Sequence, residues 1–197
     1  MLESHISWKT AITRKLPSAP LRKVLTFPDF PKPDGVRILD FGCGKGRDVL
    51  HLKELGYEAV GYDQHFQPDK PTGKFDVVLC AFVLNTREQS EEAEIVGELL
   101  DYMKPDGQIY IAVRSDVKKE RVTCKGLQRP VDCPSGFQLA ARGSGFKLFT
   151  NCKALQNCPY QIHSLGHGPR THRAPTVARH HSATFYTLCP KALSKWL

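Results

Sequence analysis

The feature that most constrains the fold is an apolar run that ends directly in a glycine-rich loop. Residues 36–41 read VRILDF, residues 42–46 read GCGKG, and residues 47–55 carry spaced apolar side chains before Gly56. The apolar run predicts a strand buried on both faces. The segment closed by glycine predicts a short helix. Strand, tight loop and helix in this order are typical of the start of a βαβ unit.

The same alternation continues to residue 114. Further strands are predicted at 57–63, within 74–85 and at 108–114. A helix is predicted at 87–107, where acids crowd the first half and Pro105 and Gly107 end the pattern. The sequence therefore predicts an α/β fold with a mostly parallel sheet.

The glycine loop has the spacing G-x-G-x-G over Gly42, Gly44 and Gly46, and Asp40 precedes it. Dinucleotide-binding loops need G-x-G-x-x-G, and the P-loop spacing is also absent. An acid ahead of the glycines suits a ligand with an ammonium group better than a pyrophosphate. Asp63 ends the next predicted strand, 17 residues after Gly46, where a carboxylate can accept hydrogen bonds from ribose hydroxyls. The alternative is a glycine-rich turn with a surface aspartate.

ILDFGCGKG and GYD resemble the first two motifs of the class I S-adenosylmethionine-dependent methyltransferases. The resemblance implies a Rossmann-like sheet, S-adenosylmethionine as cofactor and methyl transfer as activity. FDVVLCAFVLN resembles the family's fourth-strand motif, whose last residues face the methyl group and the adenine. The cofactor-binding residues that the resemblance implies are Asp40, Gly42, Cys43, Gly44, Gly46, Asp63, Cys80, Ala81 and Phe82.

The sequence departs from this family between its second and third predicted strands. Only 12 residues separate Asp63 from Asp76, which is too short for both a helix and a strand. We therefore expect the third strand of the family's sheet to be shortened or missing. The acidic residue that usually binds the adenine amine is in doubt for the same reason.

This short connection and a leading TAITRK segment narrow the resemblance to a group of methyltransferases associated with DNA phosphorothioation. The similarity covers roughly residues 8–115. It implies that Thr10 and Arg14 fold over the cofactor, with Arg14 a candidate substrate contact. The alternative is a capping helix that carries a surface arginine.

Charge divides the chain unevenly. Residues 1–113 hold 14 basic and 17 acidic residues, residues 114–150 hold 8 and 3, and residues 151–197 hold 6 and none. An excess in one contiguous third favours a polyanionic partner, DNA or RNA; the alternative is a basic surface that aids solubility. The candidate phosphate contacts beside the cleft are Lys118, Lys119, Arg121, Lys125 and Arg129.

No catalytic residue is assigned with a defined role. Asn85 lies at the mouth of the predicted cleft and is the candidate for orienting an acceptor. The alternative is that Asn85 caps the acidic helix that follows. The segment AFVLNT at the end of this predicted strand lacks the tetrad typical of DNA amino-methyltransferases.

Three segments are predicted along the chain. Residues 1–35 form a helical segment, interrupted at Pro17 and Pro20, and a linker; residues 36–150 form the cofactor-binding domain. Residues 151–197 form a basic C-terminal extension rich in His and Arg, whose strand at 183–188 could pair with the strand at 145–150. Metal-ligand types also occur in this extension, at Cys152, Cys158, His163 and His167, although their spacing is not that of a standard zinc finger.

Nothing in the sequence predicts a membrane span or a signal peptide, so we expect a cytoplasmic protein. The seven cysteines do not suggest a disulfide framework. The preferred function is S-adenosylmethionine-dependent methyl transfer to a nucleic acid or a component of one. The alternatives are a methyltransferase for a small molecule or protein, and a non-catalytic methyltransferase-like module that binds nucleic acid.

Overall fold

The computed structural model describes residues 4–151 of the chain. Strands and helices alternate along its first part, and four short strands follow. The helices are α1 (Ala19–Val24), α2 (Arg47–Glu54) and α3 (Glu92–Tyr102), with 3-10 turns at Ser4–Thr10, Leu84–Thr86 and Gln89–Glu91. The strands are β1 (Arg37–Phe41), β2 (Glu58–Tyr62), β3 (Phe75–Ala81), β4 (Met103–Arg114), β5 (Arg121–Thr123), β6 (Gly126–Gln128), β7 (Phe137–Gly143) and β8 (Phe146–Asn151).

Six strands form one sheet in the order β2-β1-β3-β4-β8-β7, and β5 and β6 form a separate hairpin. The first four strands are parallel to one another, while β8 runs antiparallel to both β4 and β7. Phe41 of β1 pairs with Tyr62 of β2 and with Cys80 of β3. The loops that follow these three strands therefore share one edge of the sheet, where ligands of open α/β folds bind. The prediction of a mostly parallel α/β sheet is confirmed.

The prediction of a missing third strand is confirmed as well. Between β2 and β3 the chain forms only an isolated antiparallel bridge, which joins Asp63 to Gln67. Strand β2 consequently lies at the outer edge of the sheet.

Apolar side chains bury both faces of the sheet. Leu21 of α1 and Leu52 of α2 belong to the layer on one face, and Leu99 of α3 belongs to the layer on the other. Burying each leucine contributes about 1.5–3 kcal/mol. Because α1 packs in the same layer as α2, the N-terminal segment is part of the core that supports β1.

Two helix predictions need correction. Pro20 does not interrupt a helix, because it lies in the first turn of α1, where its missing N–H is tolerated. The helix predicted at 87–107 is shorter, since β4 already begins at Met103. The segment with Pro105 and Gly107 forms an irregularity within that strand, and the pairing with β3 resumes at Gln108. A bulge accommodates proline because the residue there need not donate to the ladder.

The strand predicted at 145–150 exists as β8, but its predicted partner is wrong. Both sides of β8 are taken, by β4 and by β7. No periodic pattern predicts β7, whose side chains are largely exposed. Residues 183–188 lie outside the described residues. Among the described residues, no helix is long and apolar enough to cross a membrane.

Candidate active site

An open cavity of about 380 Å³ lies at the carboxyl ends of β1, β2 and β3. Its walls come from the N-terminal segment and from the loops that follow those three strands. The position matches the ligand-binding edge that the topology predicts. The lining consists of Ser7, Trp8, Thr10, Ala11, Ile12, Arg14, residues 41–45, residues 62–65, residues 81–83, Thr86 and Arg87.

The glycine loop forms one wall and requires its glycines. Gly42 has φ +76°, and a Cβ at this position would lie 2.2 Å from Cγ2 of Val83. Gly46 has φ +75° and is the N-cap of α2. Such positive φ values strain residues that carry a Cβ, so both positions favour glycine.

Asp63 holds this loop in place from the end of β2. Its Oδ2 atom accepts the backbone N–H of Gly44 at 3.0 Å. Its Oδ1 atom accepts the N–H groups of His65 and Phe66 at 2.9 and 3.1 Å. The carboxylate lines the cavity and therefore organises both the glycine loop and its own turn.

Asp40 is 4% exposed and does not line this cavity; with Ser18, Leu21 and Asp48 it lines a separate small cavity beside α1. Within residues 4–151 its carboxyl makes no hydrogen bond. Burial raises its pKa to about 8; Asp48 and Asp63 reinforce the shift, and Arg14 opposes it. A buried carboxyl without a partner is costly when ionised, so this position favours a ligand with positive charge.

The end of β3 supplies a third wall. Ala81 and Phe82 line the cavity, and Phe82 adopts φ +65° although it is not glycine. Such strain is typical of functional sites. Cys80, which the sequence predicts in the cofactor site, has its side chain in the core layer opposite α1 and does not line this cavity. Burial raises the pKa of the Cys80 and Cys43 thiols, so both stay protonated.

The N-terminal segment forms the remaining wall, to which Thr10 and Arg14 contribute. The Trp8 and His65 rings stack with centroids 4.3 Å apart and an interplanar angle of 11°. The Lys45 ammonium donates to the hydroxyl of Thr13 at 2.8 Å. These contacts tie the segment to the loops after β1 and β2. No spacing in the sequence indicates the contribution of Trp8, His65 or Arg87.

Asn85 has a role that differs from both sequence-based alternatives. Its side chain is fully buried and does not line the cavity. The amide donates to the carbonyl of Arg129 at 2.8 Å and accepts the N–H of Arg114 at 2.8 Å. The helical region after it is capped by Glu88 and Glu91 instead. Asn85 therefore ties the turn after β3 to β4 and to the segment after β6.

The predicted basic contacts fall into two groups. Lys118, Lys119, Arg121 and Lys125 are exposed and lie around the β5–β6 hairpin, outside the cavity lining. Arg129 is buried, so its assignment to an exposed basic edge is wrong. Its guanidinium donates to Glu92 at 2.6 Å and to the carbonyl of Arg87 at 2.7 Å.

The described part of the chain contains no cluster of three metal-ligand side chains. The metal candidates of the sequence fall outside the described residues, and their prediction stays untested. They are Cys152, Cys158, His163 and His167.

Comparison with known proteins identifies a family model and solved structures that match this chain. A family model described as a methyltransferase domain matches residues 12–144. The crystal structure of the 1,6-didemethyltoxoflavin-N1-methyltransferase of Burkholderia thailandensis, with bound 1,6-didemethyltoxoflavin and S-adenosylhomocysteine, is 17% identical with a TM-score of 0.50. That match covers 68% of this chain and 77% of the other, and it supports the fold. A TehB-like S-adenosylmethionine-dependent methyltransferase from Corynebacterium glutamicum is 15% identical with a TM-score of 0.45, over 72% of this chain and 90% of the other. No curated protein matches the sequence.

Proposed function

Because this chain belongs to the family of methyltransferase domains, we propose that it transfers the methyl group of S-adenosylmethionine to a nucleic acid or a component of one. The observation that carries the cofactor assignment is the cavity itself. It is lined by the glycine loop and by the Asp63 carboxylate, which is hydrogen-bonded to that loop. The assignment of the acceptor depends on the charge of the surface near that cavity.

The residues that line the cavity, and Asp40 outside its lining, fit this cofactor. Gly42 lines the cavity with its backbone, and a Cβ at this position would collide with Val83. Asp63 offers acceptor capacity to ribose hydroxyls beyond its three backbone donors, since a carboxylate has about four acceptor sites. Arg14, which lines the cavity, would bind the carboxylate of the methionine moiety. Asp40 lies outside the lining but in electrostatic range of Arg14 and Asp63, and when ionised it would stabilise the ammonium of that moiety through its charge.

When bound, S-adenosylmethionine supplies a methyl group on a positively charged sulfur. The chain's own contribution is alignment. Phe82 and the glycine loop restrict the cofactor, and the wall formed by the N-terminal segment excludes water from one side. Holding two reactants in a near-attack geometry lowers the barrier by several kcal/mol, up to about 7–11 kcal/mol.

Exposed basic residues near the cavity support a nucleic-acid acceptor. We call Lys118, Lys119, Arg121 and Lys125 the hairpin cations; all four are exposed. The hairpin packs on the N-terminal 3-10 turn, since a Cβ on Gly126 would lie 3.5 Å from Cγ1 of Ile6. That turn supplies Ser7, Trp8 and Thr10 to the cavity wall. Phosphates bound at the hairpin would therefore bring a strand next to the cavity.

Two titrations test this proposal. Calorimetry with S-adenosylhomocysteine tests the cofactor, and fluorescence anisotropy with single- and double-stranded oligonucleotides at several salt concentrations tests the acceptor. We expect micromolar binding of the cofactor product, about 8 kcal/mol, and oligonucleotide affinity that falls steeply with salt. Changing the hairpin cations to Gln should reduce that salt slope.

A matched control changes four other exposed cations, Arg22, Lys32, Lys53 and Arg142, to Gln. It has the same net charge as the hairpin variant, so equal losses in both would indicate nonspecific attraction. Salt-independent behaviour of the wild type would instead favour a small-molecule or protein acceptor. Cofactor binding without transfer to any acceptor would favour the non-catalytic module.

A further inference from the structure

The cavity lining has an excess of positive charge. Among the described residues that line it, Arg14, Lys45 and Arg87 are cations, and Asp63 is the carboxylate. The proposed cofactor adds further positive charge, because it carries a sulfonium and an ammonium against one carboxylate. Like charges in a partly enclosed site repel each other strongly. An acceptor with a negative group would balance the site.

Each of the three cations has a partner within the described part of the chain. Lys45 is exposed and donates to Thr13 at the rim of the cavity. Arg14 lies in the field of Asp40 and is assigned above to the carboxylate of the cofactor. Arg87 is the remaining cation of the lining.

Arg87 presents unused donors to the cavity. Its side chain is 16% exposed. Its Nη2 donates to Oε1 of Gln64 at 2.6 Å, and its Nη1 forms a long hydrogen bond and ion pair of 3.5 Å with Oε1 of Glu91. A guanidinium has five N–H donors, so three of them are uncommitted within the described part of the chain.

The backbone of Arg87 is held by a buried network. The carbonyl of Arg87 accepts Nε of Arg129 at 2.7 Å, and Arg129 pairs with Glu92 at 2.6 Å. Asn85, two residues earlier, is bonded to the carbonyl of Arg129. An arginine whose backbone and one nitrogen are fixed loses little conformational entropy when it binds a ligand. Arg87 is therefore preorganised for binding a ligand.

We infer that Arg87 binds a phosphate or carboxylate group of the methyl acceptor and so selects anionic acceptors at this site. The inference rests on the proposed function, since it assigns the cofactor to the glycine loop, Asp63 and Arg14. The planar guanidinium fork matches the oxygens of a phosphate or carboxylate, and such charge-assisted pairs are among the stronger hydrogen bonds in proteins. A nucleic-acid strand and a free nucleotide share this chemistry.

The test uses the full chain saturated with S-adenosylhomocysteine and three probes. The probes are thymidine 5′-monophosphate, uncharged thymidine and a single-stranded thymidine octamer. In Arg87→Gln we expect the monophosphate, the octamer or both to bind at least about tenfold more weakly, with thymidine unchanged and S-adenosylhomocysteine within about twofold of wild type. Arg87→Lys should recover part of the loss, because it restores the charge without the fork.

Controls separate this role from a structural one. Arg22→Gln removes an exposed arginine on α1 and should change none of these affinities. The thermal unfolding temperature of each variant shows whether the fold is intact. A loss confined to the octamer identifies a strand as the source of the anion, whereas an equal loss for the monophosphate identifies a free nucleotide.

Three results would overturn the inference. The first is equal affinity of wild type and Arg87→Gln for both anionic probes, including no binding by either protein. The second is a parallel loss of S-adenosylhomocysteine binding in Arg87→Gln, which would place this arginine in the cofactor site. The third is an equal loss for uncharged thymidine. Failure of wild type to bind S-adenosylhomocysteine would instead defeat the proposed function, and the same titrations without it would still decide whether Arg87 binds anions.

Discussion

Asp63 at the end of β2 accepts the backbone N–H of Gly44, the middle glycine of the loop after β1, at 3.0 Å. The two residues are 19 positions apart, and their bond joins the loops after two neighbouring strands. The carboxylate that we assign to the ribose is therefore also the group that sets the shape of the glycine loop. Loss of Asp63 should disturb the two cavity walls formed by the loops after β1 and β2.

We expect Asp63→Ala to weaken S-adenosylhomocysteine binding by at least about tenfold, or ~1.4 kcal/mol. The variant loses an acceptor for ribose hydroxyls and the anchor of Gly44. Calorimetric titration measures the change. Asp69→Ala removes an exposed carboxylate of the same connection and should bind like wild type. Unchanged affinity in Asp63→Ala would contradict the cofactor assignment.

Asp40 should make the stability of the protein depend on pH. Burial first, and then Asp48, raises its pKa from 3.8 to about 8. Between these values the folded state holds a proton that the unfolded state has released, so the free energy of unfolding falls as pH rises from about 4 to about 8. In Asp40→Asn this contribution is absent.

Urea denaturation of wild type and Asp40→Asn at pH 4.5, 6 and 8 checks this sign. The difference between the two proteins should grow with pH, with the variant the more stable by at least about 1 kcal/mol at pH 8. A difference that is constant with pH, or that shrinks toward pH 8, would show that Asp40 titrates near its ordinary value.

Gly42→Ala should lower both stability and cofactor affinity. The new Cβ would meet Val83 at 2.2 Å, and the backbone would be held at φ +76°. Positive φ alone costs about 1–2 kcal/mol for a residue with a Cβ. Gly97→Ala in α3 is the matched control, because nothing lies within 4 Å of its Cβ. It should stabilise the protein by about 0.5–1 kcal/mol, and denaturation curves of the two variants should shift in opposite directions.

Asn85→Ala should destabilise the fold by about 2–3 kcal/mol, because it leaves the partly buried N–H of Arg114 and the buried carbonyl of Arg129 without their partner. Gln138→Ala removes an exposed amide on β7 and should cost less than about 0.5 kcal/mol. Chemical denaturation at constant pH separates the two. Equal stabilities of the variants would mean that water replaces the amide at no cost.

The sequence predicted the parts of the fold that depend on local pattern. The strand before the glycine loop, the helix after it and the short connection after Asp63 all rest on residues adjacent in the chain. The missing third strand followed from counting the residues between Asp63 and Asp76. Periodicity and chain length are sufficient for such features.

The features that the sequence did not predict depend on distant contacts. Asn85 precedes an acidic helix, so its sequence context favours a cap, but bonds to Arg114 and Arg129 decide its conformation. Arg129 belongs to a basic run, and only the fold shows that Glu92 neutralises it in the interior. Trp8 and His65 meet by tertiary packing alone. The sequence predicts Cys80 in the cofactor site, but alternate side chains of a strand face opposite sides of the sheet, and the side chain of Cys80 points into the core.

The loss of the third strand has a consequence for self-association. An outermost strand with unpaired backbone groups is a template onto which other chains can assemble. The backbone N–H of Glu58 donates to the carbonyl of Val36. Backbone groups of alternate residues in a parallel ladder point to opposite sides of the strand, so those of Ala59 and Gly61 point away from β1. The N–H of Ala59 donates to the carbonyl of Tyr57, and the side chain of Gln67 lies against Gly61. The loop that replaces the missing strand thus shields the exposed rim of the sheet against aggregation.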